Sequence, residues 1–174
     1  MPEDATGHSD DGDRVDRVIA AWRRERPDID VGSIAVLTRA LLIGRHLQKA
    51  RDRELRELGT DTPTLEVLAT LRRAGAPYRL RTSEIEAATS VTAGAISQRL
   101  DRLEARGFVR RTRDDGDKRV IHVSLTKKGR DLIDAVVAGL MEREELLLTP
   151  FNERERKTLE RLLTRWLRWF EDGQ

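Results

Sequence analysis

Basic side chains crowd one short stretch of the chain, between residues 99 and 119. Guanidinium and ammonium groups bind phosphate oxygens, so such a cluster predicts contact with a polyanion. Overlapping the start of this stretch, residues 92–106 place Ser and Gln among regularly spaced apolar residues. Because Gln and Ser hydrogen-bond the edges of bases, these residue types together indicate DNA as the partner.

The elements around this cluster are predicted from apolar spacing and from helix breakers. Residues 82–89 form a short helix, and residues 92–106 form a second helix that Gly107 ends. Two strand-like runs follow, at 108–109 and 120–125, with a charged hairpin between them. A helix that fits the major groove, beside a basic hairpin, is a winged helix-turn-helix. The predicted fold class is therefore mainly α with a small β-wing.

The two faces of the 92–106 helix have different predicted roles. Three residues are spaced to face the core: Ile96, Leu100 and Leu103. The predicted DNA contacts lie on the opposite face: Thr92, Ala93, Ser97, Gln98 and Arg102. Ser97 and Gln98 can read base edges, and Arg102 is expected to clamp a phosphate. Thr92 is predicted to cap the helix, and the first N–H groups of that helix can hold a phosphate. The small side chain of Ala93 allows the helix to approach the DNA closely. In an isolated helix this would be an ordinary solvated face, but the adjacent hairpin favours DNA.

The hairpin carries its own predicted DNA contacts near the tip. They are three cations: Arg113, Lys118 and Arg119. Arginine is favoured in a narrow minor groove by the negative potential there. Asp117 would repel phosphate, so we expect it to orient Arg119 through a charge-assisted pair. Few of these contacts fix a base sequence, and the operator is not predicted.

The helices outside this unit carry more apolar surface than a small winged domain can cover. We predict a disordered acidic tail at 1–13, N-terminal dimerisation helices at 14–60, the winged domain at 61–126 and C-terminal dimerisation helices at 127–174. Because DNA half-sites mirror a two-fold protein axis, a homodimer is expected over a monomer with a helical cap. The formal net charge of the chain is +2, although the acidic tail alone carries five negative charges. The rest of the chain is therefore more basic than the net charge suggests, which favours binding to DNA.

Composition excludes several classes of function. The 174 residues include no cysteine, and the three histidines are far apart, so no metal site is predicted. No phosphate loop, paired carboxylates or nucleophile motif is present, and neither an enzyme nor a cofactor is expected. No apolar run is long enough to span a bilayer, and the acidic N-terminus does not resemble a secretion signal. We therefore expect a cytoplasmic protein.

The chain resembles the MarR family of winged-helix regulators. The resemblance covers about residues 33–170 and rests on three segments: TPTLEVLATLRRAG, TAGAISQRLDRLEARGFVRR and DDGDKRVIHVSLTKKG. It implies a homodimer, held by its N- and C-terminal helices, that represses a neighbouring gene. It also implies release from DNA by a small, often anionic aromatic ligand.

A narrower resemblance, carried by the segment RVIAAWRRERPD, is to the PecS and urate-responsive branch of that family. By position, it implies a ligand site made of Trp22, Glu66, Arg99 and Arg111, with Glu66 where the branch has aspartate. An indole stacks on a planar ligand, and guanidinium groups hold an anion. We expect Glu66 to pair with Arg111 until urate or a related planar anion competes for that arginine. Alternatively, Trp22 only packs, Arg99 only binds phosphate, and Glu66–Arg111 is an ordinary ion pair.

Two other functions remain open at this stage. One is a ligand-independent or architectural DNA-binding protein, and the other is a winged helix used for protein contact. The basic wing favours DNA over the latter.

Overall fold

The computed structural model of the chain describes residues 12–89, 93–114 and 116–173. Its elements, in chain order, are α1 (Arg14–Glu25), α2 (Ile34–Glu57), α3 (Thr62–Arg73), β1 (Arg79–Arg81), α4 (Thr82–Ala88), α5 (Ala93–Ala105), β2 (Val109–Arg113), β3 (Ile121–Leu125), α6 (Lys127–Leu147) and α7 (Glu153–Glu171). The chain divides into two compact units, one ending at Arg51 and the other beginning at Asp52. The four domains predicted above stay a prediction.

The first unit contains α1 and most of α2. Asp13 caps α1, because its Oδ1 accepts the backbone N–H of Val15 at 2.7 Å. Val15 and Ile19 are buried together with Val31. Trp22, on the same helix, remains 48% exposed.

The second unit is built around α3, which is buried along most of its length. Asp61 caps this helix, since its Oδ1 accepts the backbone N–H of Thr64 at 2.8 Å, and a proline stands in the first turn. Proline suits that position because the first N–H groups of a helix have no partner within it. Asp61 was not singled out from the sequence.

Three antiparallel strands form the wing sheet, in the order β1-β3-β2. The two strands predicted from the sequence are present, but β2 reaches Arg113 and so includes residues assigned to the hairpin loop. β1 was not predicted. Its residues Arg79, Leu80 and Arg81 pair with Ser124, Val123 and His122 of β3. The sheet therefore joins the wing to the segment that leads into α4.

Side-chain caps mark the starts of the two C-terminal helices. Thr126 caps α6 by accepting the backbone N–H of Gly129 at 3.0 Å. Asn152 and Glu155 form a capping box at the start of α7. Among its described residues α7 buries none, although its sequence is strongly amphipathic. The mainly α fold with a small β-wing is confirmed.

Candidate DNA interface and effector site

Three buried apolar side chains and a glycine turn fix the position of α5. Ile96, Leu100 and Leu103 are at most 1% exposed, as their spacing predicted. Gly107 has a φ of 73°, a left-handed conformation that favours glycine. The N–H groups of Gly107 and of the next residue bond back to carbonyls of α5, which is the Schellman pattern of a helix end. The chain thus passes directly from α5 into the wing.

The outer face of α5 presents polar side chains to solvent. Ser97, Gln98 and Arg102 are exposed, and Arg102 has no ion pair with any described residue. Ala93 is the first residue of α5, whereas the predicted cap Thr92 lies outside the described residues. The face has the accessibility that base reading requires, and its contacts with DNA stay a prediction.

Asp114 organises the described part of the wing tip. Its Oδ1 accepts the backbone N–H groups of Gly116 and Asp117, at 2.9 and 3.2 Å. Its Oδ2 lies 3.0 Å from Nε2 of His122 on β3. The hydrogen bond from His122, followed by those two backbone N–H groups, lowers the pKa of the Asp114 carboxyl to about 2. Because an ionised carboxylate only accepts hydrogen bonds, Nε2 of His122 carries a proton in this arrangement.

Three cations near the wing tip are exposed to solvent. Arg113, Lys118 and Arg119 are exposed and make no ion pair with a described residue. Asp117 acts differently from the prediction: its Oδ1 accepts the backbone N–H of Arg119 at 2.9 Å, and the two side chains do not pair. Asp117 thus shapes the loop, and the guanidinium of Arg119 keeps its donors for another partner.

Arg111, at the root of the wing, is tied to α5. Its Nε donates to Oε2 of Glu104 at 2.7 Å, and its Nη2 donates to Oδ1 of Asp101 at 2.6 Å. Its backbone N–H also donates to Glu104, and this bond is the main cause of the lowered pKa of the Glu104 carboxyl. The expected pair between Glu66 and Arg111 is therefore wrong. Two carboxylates of the adjacent helix reach Arg111 instead, because β2 runs back along α5.

Arg99 is held by the start of α3. Its Nη1 donates to Oδ2 of Asp61 at 2.7 Å and to Oγ1 of Thr64 at 3.2 Å. The Arg99 side chain is only 19% exposed. Burial tends to raise the pKa of Asp61, but hydrogen bonds with Thr64 and Arg99 outweigh it and leave that pKa below its ordinary value. A single carboxylate thus caps one helix and holds an arginine of another.

Within the second unit, the structure does not bring Arg99 and Arg111 to the same side of α5. Arg99 lies on α5 itself, whereas Arg111 reaches α5 through Asp101. At about 100° per residue, Arg99 and Asp101 lie roughly 200° apart around the helix, so the two arginines are on opposite sides of it. Glu66 is half-buried on α3 and has no hydrogen bond or ion pair with any described residue. Trp22 belongs to the first compact unit.

Sequence reasoning missed the carboxylates that hold the arginines. Asp61 precedes Thr-Pro, a recognisable helix-start signal, and could have been found as a cap. Its contact with Arg99 spans 38 positions and leaves no local signal. Glu104 and Asp101 were placed on α5, but the sequence did not show that β2 would bring Arg111 to them.

Over 12–89, 93–114 and 116–173, no cluster of three or more His, Asp or Glu side chains could hold a metal ion. In the same part of the chain, no helix is long and apolar enough to cross a membrane.

Comparison with known proteins places the chain among transcriptional regulators. A model of the MarR family matches residues 58–120. The chain is 36% identical to the HTH-type transcriptional regulator PecS of Dickeya dadantii, over 87% of this chain and 91% of that protein.

Solved structures show the same architecture. A mutant of MarR from E. coli, crystallised with operator DNA, superposes with a TM-score of 0.63 at 28% identity and covers 80% of this chain and 99% of that one. AbsC, a MarR-family regulator from Streptomyces coelicolor, superposes with a TM-score of 0.70 over 84% of this chain and 98% of its own. At 20% identity, AbsC supports the fold alone.

Proposed function

Because the chain belongs to the MarR family of DNA-binding transcriptional regulators, and is not an enzyme, we propose that it is a repressor. In this proposal it binds a palindromic operator as a homodimer. It leaves that operator when a small planar anion such as urate binds. The observation that carries DNA binding is the exposed face of α5 beside a wing whose Arg113, Lys118 and Arg119 have no ion pair with a described residue. The related MarR structure with operator DNA supports the same use of this fold.

The homodimer is supported by apolar surface that each unit leaves uncovered. In α7, Leu163, Leu167 and Phe170 are 50% to 58% exposed. In α2, Leu37 and Leu41 are 48% and 66% exposed. Contiguous apolar patches of this kind mark interaction sites in proteins, and a two-fold partner suits a palindromic site. A sedimentation measurement tests this part, and a monomer at micromolar concentration would contradict it.

Four residues are each proposed to take part in the effector response: Trp22 in the first compact unit, and Glu66, Arg99 and Arg111 in the second. Trp22 is half exposed, so its indole is available to stack on a planar ligand. Arg99 and Arg111 are guanidinium groups that hold anions, and each bears on an element predicted to contact DNA. An anion that recruits either arginine would therefore act on α5 or on the root of the wing.

A ligand-independent DNA-binding protein is the second candidate, and one observation favours it. Arg99 and Arg111 already have internal carboxylate partners, as expected of structural ion pairs. The two candidates differ in one measurable property, which is whether urate weakens DNA binding.

The test is fluorescence anisotropy of the full chain on labelled DNA from upstream of its own gene, with and without urate. Salt-sensitive binding that urate releases supports the repressor. Binding that is indifferent to urate contradicts the urate proposal and favours the second candidate. Absence of binding contradicts the proposed operator.

Trp22→Ala refines the same experiment. We expect nearly unchanged DNA affinity and blunted release, because the truncation leaves the buried Val15 and Ile19 in place. Val18→Ala is a matched control, since Val18 lies on the same helix and is 44% exposed. If Trp22→Ala unfolds the first unit, the residue serves packing instead.

A further inference from the structure

The wing sheet has one face that packs on the core and one that points outward. Side chains alternate between the two faces of a strand, so residues two apart lie on the same face. Leu80 of β1 is paired with the buried Val123 of β3, and both belong to the inner face. The residues on either side of Leu80 therefore lie on the outer face. These are Arg79 and Arg81, and both are exposed.

A third arginine comes to the outer face from the other side of the sheet. Ser124 of β3 is paired with Arg79 on one side and with Arg110 of β2 on the other. Arg110 is exposed as well. Neighbouring strands lie about 4.8 Å apart, so the backbones at Arg79 and Arg110 are about 10 Å apart, and Arg81 is about 7 Å from Arg79 along its strand. The three arginines thus share one small surface, which we call the arginine face.

Charge on the arginine face is not balanced by the part of the protein that the structure describes. None of its three arginines has an ion pair with a described residue. Two carboxylates that approach the face have other partners. Oε2 of Glu84 accepts the backbone N–H of Arg81 at 2.6 Å. Oδ2 of Asp114 lies 3.0 Å from Nε2 of His122, which is paired with Arg81 across the sheet. The three guanidinium groups therefore keep their donors for an anionic partner.

The backbone of duplex DNA has a charge spacing that suits this face. Each strand carries one phosphate per about 3.4 Å of helix axis, so a surface about 10 Å across faces two or three phosphates. Arginine binds a phosphate through two parallel N–H donors. The face also lies next to the wing tip, because Arg81 is paired with His122, and the pairing of β2 with β3 ends one residue away at Ile121. A DNA strand that passes the wing tip can therefore continue along the arginine face.

We propose that the arginine face is a second phosphate-binding surface, which holds the DNA backbone beyond the segment that α5 and the wing tip contact. The inference rests on the proposed function and deepens it, because it extends the DNA contact of the same domain to residues outside α5 and the wing tip. Contacts with phosphate carry no base information, so this surface adds affinity that does not depend on the DNA sequence.

The experiment measures the salt dependence of binding of the full chain to random-sequence duplex DNA, so its result does not depend on the operator or on an effector. The first variant removes the charges of the arginine face and carries Arg79→Gln, Arg81→Gln and Arg110→Gln. We expect the slope of log affinity against log salt concentration to fall in magnitude by about two to three for each protomer bound, since each lost phosphate contact removes about 0.9. Replacing the same three residues by lysine keeps the charges and should keep the slope.

A control variant removes the same number of charges from exposed positions of α1 and carries Arg14→Gln, Arg17→Gln and Arg23→Gln. We expect it to keep the wild-type slope, because these arginines lie outside the proposed surface. If the first variant does not fold, Arg110→Gln alone continues the test, with an expected decrease of about one.

Three results would overturn the proposal: an unchanged slope in the glutamine variant, an equal decrease in the α1 control, or a loss of affinity for single-stranded RNA without a loss for duplex DNA. The last result would assign the face to a different nucleic acid. If the wild type binds no DNA at all, the proposed function fails together with this inference. If the wild type binds DNA and the glutamine variant keeps its slope, only the arginine face is refuted.

Discussion

Gly129→Ala tests the junction between α6 and the root of the wing. Gly129 is buried in the first turn of α6, where a Cβ would clash with the carbonyl oxygen of Phe108 and lie 2.9 Å from its carbonyl carbon. The same oxygen accepts the N–H of Thr126 at 3.1 Å, while the Thr126 hydroxyl donates to the Gly107 carbonyl at 2.7 Å. An added methyl group must therefore push α6 away from the start of β2.

The expected loss in the free energy of unfolding combines two destabilising contributions and one stabilising contribution. Overpacking of a core costs about 1–3 kcal/mol. Loss of the backbone hydrogen bond to Phe108 costs about 1 kcal/mol. Alanine is better than glycine inside a helix by about 1 kcal/mol. Together they predict a loss of about 1–3 kcal/mol, a sizeable part of the stability of an ordinary domain.

Urea denaturation of the wild type and two variants measures this loss. Gly139→Ala is the matched control, because it lies on the same helix and its Cβ would meet only the end of the Leu58 side chain, at 3.3 Å. We expect the control to stay within about 1 kcal/mol of the wild type. If Gly129→Ala is as stable as the control, the close approach of α6 to Phe108 is not a constraint on the fold.

Two further predictions concern the wing. Arg119→Ala should weaken binding to specific and to random DNA by similar factors and reduce the salt slope by about 1, since it removes one phosphate contact. The control Arg154→Ala, on α7, should change neither the DNA affinity nor the salt slope. A loss of affinity for specific DNA alone in Arg119→Ala would refute the backbone role of Arg119. The pKa of Asp114, lowered from 3.8 to about 2, predicts that the wing-tip bonds it accepts persist below pH 3.8 and are lost only as the pH falls through about 2. The backbone N–H resonance of Gly116 reports this by NMR, and a midpoint near 4 would contradict the arrangement.

Local pattern accounts for much of the fold, and contacts distant in sequence account for what was missed. The buried face of α5 follows from a helical period, and the caps Thr126 and Asn152 follow from residue type. β1 has only three residues, two of them arginines, and is fixed by pairing with β3 some forty positions later. Its strand character therefore comes from the partner, which no window of sequence contains.

For the candidate site, too, local features could be predicted from the sequence and contacts between distant residues could not. The exposure of Ser97, Gln98 and the wing cations could be predicted, because it follows from the face of a helix and the tip of a hairpin. The partners of Arg99 and Arg111 could not, because they depend on how α3 and β2 pack against α5. The resemblance named these arginines for a ligand, but it did not identify the carboxylates that hold them in the free protein.

The arginines around α5 form two groups, those paired with a carboxylate and those without a described ion-pair partner. Asp61 neutralises Arg99 on one flank, and Glu104 with Asp101 neutralises Arg111 on the other. The arginines left without a described partner include Arg102 and Arg119, at positions proposed to contact DNA. Internal pairing thus fixes the orientation of α5 and β2 and leaves the charges of those positions for a phosphate backbone.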